Sequence, residues 1–296
     1  MDWINLKLAG LSVWFDLGEL NTNIKLPPGK HDFLQHVDSI QAGDSFKYDQ
    51  SIMVLRLRNT AIYKPQPLQE PVFRSATWEV WKDINGNLVF SMPSQQAPVM
   101  AVISPDFSHG DVILDPRVIQ EDGFYPLENL DIRIIAAWLA SKSDLLLHAS
   151  GVKAGDDGYC FIGPSGSGKS TLASNLAENH SLTVLGEDQI ILRFINDRFW
   201  IYGTPWHTDQ SMCSPLGVPL KKVFFLDRKI NPGVTRMRPS EGVAGILKDA
   251  FIPYYFHEYL PGILDRLSAL AEQTPFYLLS YLLGSDPWPS ILNVEG

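Results

Sequence analysis

The sequence has a small basic fraction and no long apolar run. Its 296 residues include 24 lysines and arginines against 33 aspartates and glutamates, which gives a formal net charge of −9. Binding to a phosphate backbone needs clustered Lys and Arg, and the sequence offers only the pair Lys221-Lys222. We therefore expect no nucleic-acid partner. No run of about 18 apolar residues occurs, so we also expect no membrane-spanning segment.

Cysteine is also scarce, with only Cys160 and Cys213 in the chain. The two are far apart and lack the spacing of metal ligands. Cys160 lies in the apolar run 159–162, which is typical of a small core residue. Nothing in the sequence supports a disulfide, which favours a reducing compartment. The N-terminus has no basic stretch followed by an apolar one, as a signal peptide would. These absences together predict a cytoplasmic protein.

The residues that are present describe a globular chain with two regions of different texture. Hydrophobic residues make up 45% and charged residues 19%, which is ordinary for a folded protein. Alternating runs at 53–58 and 77–81 predict strands, and Asn85-Gly86 predicts a hairpin turn. Helical spacing of apolar residues begins after Pro126. We predict a β-rich region over 1–126 and an α/β domain over 127–296.

Strands and helices alternate in the second region. The apolar residues Leu130, Ile134 and Trp138 recur at the spacing of a helix, which we predict over 127–141. Further predicted helices cover 169–179, 241–252 and 260–272, and predicted strands cover 145–152, 159–162, 182–185, 189–194, 198–202 and 223–226.

A phosphate-binding loop stands between one of these strands and the next helix. Residues 163–170 read Gly-Pro-Ser-Gly-Ser-Gly-Lys-Ser, which matches the pattern Gly-x-x-x-x-Gly-Lys-Ser. Glycine permits the curvature that turns several backbone N–H groups toward one anion. The N-terminus of the following helix favours the same anion. Lys169 is predicted to reach the β- and γ-phosphates, and Ser170 to bind Mg²⁺.

A chance match to this pattern occurs in roughly 1% of chains of this length. The apolar strand before the loop and the helix after it favour a true site. We predict that the segment binds a nucleoside triphosphate, ATP. Thr171 either adds a hydroxyl or is only a helix residue. The predicted contacts are Gly163, Pro164, Ser165, Gly166, Ser167, Gly168, Lys169, Ser170 and Thr171.

Two acids follow the strand after the loop helix. Glu187 and Asp188 would lie beside the phosphates at the carboxyl edge of a parallel sheet. One carboxylate could hold Mg²⁺ and the other could accept a proton from an attacking hydroxyl. The alternative is a solvated acidic turn. His148 lies on an apolar strand, where a lone histidine is more often a core residue. The turn 203–208, which contains Trp206 and His207, could floor a pocket.

Taken in order, His148, the loop 163–170 and the pair Glu187-Asp188 resemble the catalytic core of the HPr kinase/phosphorylase family. The similarity covers residues 140–210. It implies a P-loop kinase core of the type shared with ATP-dependent phosphoenolpyruvate carboxykinase, a mixed sheet flanked by helices. It implies that Ser170 and Asp188 bind Mg²⁺ and that Glu187 accepts the hydroxyl proton. It also implies that His148 is an active-site residue near the phosphates.

The sequence departs from that family at three points. The family's acidic pair is usually Asp-Asp, and here its first member is Glu187. The Glu and Arg that the family has before a glycine are replaced at 200–203 by Trp-Ile-Tyr-Gly. The later Gly-Arg-Asn element is absent. The chain therefore resembles a divergent branch that includes lasso-peptide kinases, rather than a kinase of the phosphocarrier protein HPr.

These patterns lead to one main hypothesis and two alternatives. The main one is an ATP- and Mg²⁺-dependent kinase acting on a hydroxyl, most simply a serine of a peptide or protein, with catalytic residues Glu187, His148 and Lys169. The alternatives are a nucleotide-binding regulatory or assembly protein with reduced catalysis, and a kinase for a small-molecule hydroxyl. The region 1–126 is predicted to supply substrate contacts or the contacts of a homo-oligomer.

Overall fold

The computed structural model describes residues 3–17, 32–37, 51–59, 70–92, 100–114, 127, 130–206, 213–227, 232–282 and 284–294. The chain divides by its internal contacts into two compact units, Met1–Trp138 and Leu139–Gly296. This division falls later in the chain than the boundary that we predict after residue 126. No helix in the described ranges is both long enough and apolar enough to cross a membrane.

The described part of the first unit is organised around one nine-stranded sheet. Its spatial order is β3-β1-β2-β4-β9-β8-β7-β6-β5. Burial of apolar side chains explains the first strand, because Ile4, Leu6 and Leu8 are all buried in the core. Gly86 has φ +80° in the predicted hairpin turn. The strands are β1 (Trp3–Leu8), β2 (Leu11–Asp16), β3 (Leu34–Val37), β4 (Ile52–Asn59), β5 (Phe73–Arg74), β6 (Glu79–Lys82), β7 (Leu88–Ser91), β8 (Met100–Ile103) and β9 (His109–Leu114).

The division between the units falls within helix α1 (Asp131–Ala140), and the second unit follows. Its strands are β10 (Leu145–Ala154), β11 (Asp157–Ile162), β12 (Thr183–Gly186), β13 (Gln189–Ile195), β14 (Arg198–Gly203), β15 (Gly217–Asp227), β16 (Gly233–Arg236) and β17 (Phe276–Ser280). Its helices are α2 (Lys169–His180), α3 (Pro239–Asp249), α4 (Leu260–Gln273) and α5 (Trp288–Asn293), with a 3₁₀ turn at His257–Tyr259.

The strand directions in this unit create one shared carboxyl edge. β11 is parallel to β15, and β15 is parallel to β17. β10 is antiparallel to both β11 and β12, so β12 runs in the same direction as β11. The segments that follow these four strands therefore emerge at the same edge of the sheet, where open α/β folds bind ligands.

Helices cover both faces of this sheet, as the alternation of buried residues requires. On one face Phe161 of β11 packs in a core cluster with Leu172 and Leu176 of α2. On the other face Cys160 and Ile162 pack in a cluster with residues of α3 and α4. The predicted mixed sheet flanked by helices is thus present. Cys160 is fully buried, as predicted, and both cysteines are free thiols.

Helix α3 ends earlier than the sequence predicts. The predicted helix covers 241–252, but the observed one ends at Asp249. The next residues leave the helix to pair with the start of β10. Ala250 forms an antiparallel bridge with Leu147, and the Phe251 N–H donates to the Leu146 carbonyl at 2.8 Å. Pairing with a strand overrides the apolar spacing that extends the helical pattern.

Candidate nucleotide-binding site

The loop 163–168 joins the central strand β11 to helix α2. Gly166 and Gly168 have φ angles of +76° and +97°, a region that disfavours residues with a Cβ. A Cβ added to Gly163 would lie 2.8 Å from the Ser167 Oγ atom. The glycines therefore stand where the turn needs them, for either φ or space.

Lys169 is folded back along its own loop. Its Nζ atom donates to the Gly163 carbonyl at 2.7 Å and lies 3.4 Å from the Pro164 carbonyl oxygen. The residue is only 5% exposed. Burial lowers the pKa of Lys169, while the charges of Asp188 and Asp249 act in the opposite direction. The ammonium group is thus placed between the loop and carboxylates.

The pair Glu187-Asp188 is tied to the loop helix and to β10 through its backbone. The hydroxyls of Ser150 and Ser170 both donate to the Glu187 carbonyl, the second at 3.4 Å. The Ala149 N–H donates to the Asp188 carbonyl at 3.1 Å. Three contacts therefore fix this short acidic segment beside the first turn of α2.

The side chains of the two acids differ in their surroundings. The His148 Nε2 atom lies 3.1 Å from Oδ1 of Asp188, and these side chains are 29% and 43% exposed. Glu187 is only 4% exposed. The structure thus brings together His148, Lys169, Ser170 and both acids at one edge of the sheet, with Asp188 as the more accessible acid.

Other predicted residues are placed less centrally. Ser165 and Thr171 are exposed, and the Ser167 Oγ atom is buried, with no hydrogen-bond partner among the described residues. In the turn after β14, Trp206 is buried, and Thr204 donates to the Gln189 carbonyl at 2.9 Å. His207 and Thr208 lie outside the described residues, so the predicted pocket floor at 203–208 stays a prediction.

Three residues near the loop were missed by the sequence analysis. Asp227 ends β15, which pairs with β11 so that Phe225 is opposite Ile162. An acid directly after an apolar strand is the signal that could have revealed it. The Tyr281 hydroxyl donates to the Gly168 carbonyl at 2.9 Å. Asp249 interacts electrostatically with Lys169. For Asp249 and Tyr281 the sequence pattern carries no signal.

The oxygen donors at this edge suit a magnesium ion bound together with a nucleotide. Mg²⁺ prefers hydroxyl, carboxylate and phosphate oxygens and keeps several waters. Ser170 and Asp188 supply one hydroxyl and one carboxylate near the loop. Within the described ranges, no group of three or more His, Cys, Asp or Glu side chains is arranged to hold a metal. The donor set therefore fits an ion shared with phosphates rather than a cage made by protein alone.

A mixed α/β unit with this loop between its central strand and a helix is a P-loop nucleotide-binding fold. Comparison with known proteins adds two similarities. The family model described as an AAA domain matches residues 159–202, a segment that includes the loop and the acidic pair. The solved HPr(Ser) kinase/phosphatase from Coxiella burnetii aligns with 50% of this chain and 85% of its own. That alignment has 14% identity and a TM-score of 0.28. No curated protein matches the sequence.

Proposed function

We propose that this protein is an ATP- and Mg²⁺-dependent kinase that transfers the γ-phosphate to a hydroxyl, in particular a serine of a peptide or protein. We also propose that it is a divergent member of the HPr kinase/phosphorylase-like family. One observation carries the proposal. A phosphate-binding loop and a histidine–acid pair lie at the same sheet edge, with Lys169 electrostatically coupled to Asp188. A loop alone binds a nucleotide, whereas transfer also needs groups that act on the acceptor.

The nucleotide would be held by the loop amides and Lys169. Free backbone N–H groups of the loop would bind the phosphate anion, and the N-terminus of α2 adds its dipole. Lys169 would exchange its contact with the Gly163 carbonyl for the β- and γ-phosphates. Ser170 and Asp188 would hold Mg²⁺, which supplies neutralising charge to the phosphates when bound. The position of Tyr281 keeps the last loop carbonyl fixed.

The transfer step exchanges one P–O bond for another. The acceptor oxygen bonds to the γ-phosphorus as the bond from that phosphorus to the bridging β,γ-oxygen breaks. The electron pair of the broken bond stays on ADP, and the hydroxyl proton goes to a carboxylate, which we assign to Glu187. His148 would orient the acidic segment through its contact with Asp188. The products are a phosphorylated acceptor and ADP.

The exposure of the two acids supports a second division of roles, which the amide variants of both acids distinguish from the first. Asp188 is 43% exposed in its side chain and Glu187 is almost fully buried. An acceptor hydroxyl therefore reaches Asp188 more readily, and in that arrangement Glu187 would stay a structural or metal-facing acid. The same burial of Glu187 supports the alternative of a nucleotide-binding regulatory protein with reduced catalysis.

Phosphate transfer from γ-labelled ATP tests the proposal. Purified protein would be incubated with labelled ATP, Mg²⁺ and a library of serine peptides, or with a cell lysate followed by mass spectrometry. We expect label on a hydroxyl with the wild type and none with Lys169→Met. Tight ATP binding without any labelled acceptor would contradict the kinase and support the regulatory alternative. Label on a metabolite only would indicate a small-molecule kinase.

A further inference from the structure

Two residues flank His148, one on each edge of β10, and neither belongs to the phosphate loop. On one edge β13 pairs with β10 so that Gln189 is directly opposite His148. On the other edge Ala250 is opposite Leu147, and Phe251 bonds to Leu146. Continuing that antiparallel register places the backbone of Asp249 next to that of His148. A row of Gln189, His148 and Asp249 thus crosses β10 beside the acidic pair.

The side-chain oxygen of Gln189 is a buried hydrogen-bond acceptor to which no group in the described residues donates. The residue is 7% exposed, and its Oε1 atom has no hydrogen-bond partner in the described part of the chain. Directly paired residues of an antiparallel sheet share a face, so this amide lies on the same face as His148. A buried acceptor without a donor costs free energy. A ligand that brings an O–H or N–H to this face would remove that cost.

Asp249 stands where a carboxylate is unfavourable for the helix that carries it. It is the last residue of α3, and the C-terminal end of a helix carries partial negative charge. Its negative charge acts on the buried ammonium of Lys169 together with that of Asp188. This acid therefore opposes its own helix dipole, and its interaction with Lys169 places its charge at the edge of the sheet that carries the phosphate loop.

The groups at this edge divide by hydrogen-bonding type. The loop offers donors, namely backbone N–H groups and the Lys169 ammonium, and these suit phosphates. The flank around His148 offers acceptors and negative charge: the carboxylates of Glu187, Asp188 and Asp249, and the Gln189 amide oxygen. Electrostatic complementarity selects partners and repels those of like charge. An acidic acceptor is therefore disfavoured on this flank, while a donor-rich cation fits it.

Resting on the kinase function proposed above, we infer that Asp249 and Gln189 form an acceptor subsite that selects a hydroxyl substrate with a positively charged, donor-rich group beside the hydroxyl. An arginine next to the target serine of a peptide has this chemistry. Its guanidinium carries five N–H donors in a planar fork. Asp249 would supply the counter-charge, and Gln189 would accept one of the N–H or O–H hydrogens.

Peptide binding in the presence of Mg²⁺ and a non-hydrolysable ATP analogue tests this subsite separately from catalysis. Three labelled serine peptides would differ only in the residue beside serine, which is arginine, citrulline or glutamate. We expect the arginine peptide to bind about tenfold more tightly than the glutamate peptide. Citrulline, which keeps the shape of arginine without its charge, should fall between them. Asp249→Asn should reduce the ratio to about twofold.

Matched variants separate a ligand contact from a general effect. Asp265→Asn removes an exposed acid from α4 and should leave the tenfold ratio unchanged. Gln189→Met should weaken all three peptides and leave ATP-analogue affinity unchanged. The inference is overturned if the three peptides bind equally, if glutamate binds best, if none binds, or if Asp265→Asn acts like Asp249→Asn. A preference without phosphate transfer would refute the kinase alone, and transfer without a preference would refute the subsite alone.

Discussion

The Nζ atom of Lys169 lies 2.7 Å from the carbonyl oxygen of Gly163, so the lysine near the end of the loop contacts the glycine that begins it. This contact ties the start of the loop to the start of helix α2. It also places a buried cation where phosphate binding needs one, close to the charge of Asp188. The nucleotide therefore meets a loop whose shape is set in advance, which lowers the entropic cost of binding.

Replacing Lys169 with methionine should remove nucleotide binding without unfolding the protein. Methionine fills the space of the lysine stem, and the burial penalty on the ammonium disappears. We expect at least a tenfold loss of affinity for a fluorescent ATP analogue, because a charge-assisted contact to phosphate contributes about 1.5–3 kcal/mol. The melting temperature should stay equal or rise. Lys153→Met, on β10, is the matched control, and an equal loss of affinity in that variant would argue against a specific role.

The roles of the two acids can be separated by their amide variants. If Glu187 accepts the proton, Glu187→Gln should lower kcat by about 100-fold or more while ATP affinity persists. Asp188→Asn should instead raise the Mg²⁺ concentration needed for half-maximal rate. Initial rates at varied ATP and Mg²⁺ measure both effects, with the exposed Glu178→Gln on α2 as control. The reverse pattern would make Asp188 the base, as its exposure favours.

Two glycines that both have a positive φ angle and open space around them allow a direct test of the loop. Gly166 has φ +76° and Gly155 has φ +60°, and an added Cβ at either would meet nothing within 4 Å. Each alanine variant should lose about 1–2 kcal/mol of stability, from backbone strain alone. Only Gly166→Ala should also weaken the ATP analogue. Equal nucleotide affinity in the two variants would show that the Gly166 conformation does not matter for binding.

The two thiols should differ sharply in reactivity. Burial raises the pKa of the Cys160 thiol to about 12, and the side chain is fully enclosed. Cys213 is partly exposed. Because the thiolate is the reacting form, a maleimide at pH 8 should modify Cys213 in the native protein and both residues in urea. Peptide mapping by mass spectrometry reads the sites, and rapid native labelling of Cys160 would contradict its buried position.

Lys222 should be important for stability, unlike its neighbour Lys221. Its buried ammonium donates to three carbonyl oxygens at the end of α5, those of Ile291, Leu292 and Val294. Lys222→Met should lower the free energy of unfolding by about 1–3 kcal/mol, since those carbonyls lose their donor. Lys221→Met breaks an exposed ion pair with Asp157 and a hydrogen bond with Tyr159 and should cost about 1 kcal/mol or less. Urea denaturation compares the two variants.

The parts of the site that follow one another closely in sequence were predictable. The apolar strand, the glycine-rich loop and the helix are local features, and each has its own pattern. The pair Glu187-Asp188 could also be an ordinary solvated turn. Its position directly after the strand that follows the loop helix was enough to predict a place in the site. Asp249 was not predictable, because it reaches the site through the pairing of residues 250 and 251 with β10. Contacts between distant segments leave no periodic trace in the sequence.

The same limit explains what the sequence missed in the fold. β17 is a short apolar run that pairs in parallel with β15, which lies about fifty residues earlier in the chain. Its apolar residues carry no alternation, because both faces of the strand are covered. The predicted helix 241–252 was too long for a related reason. The residues after Asp249 keep the apolar spacing of α3, but the Phe251 N–H bonds to the Leu146 carbonyl of β10 instead.

β10 changes partners at the histidine. Its residues up to His148 pair with β13, and those from Ala149 onward pair with β11. Transplanting the function to another scaffold would therefore require more than the glycine-rich loop. The smallest continuous graft that keeps the histidine, the loop, the acidic pair and the strands that orient them runs from Leu145 to Thr204.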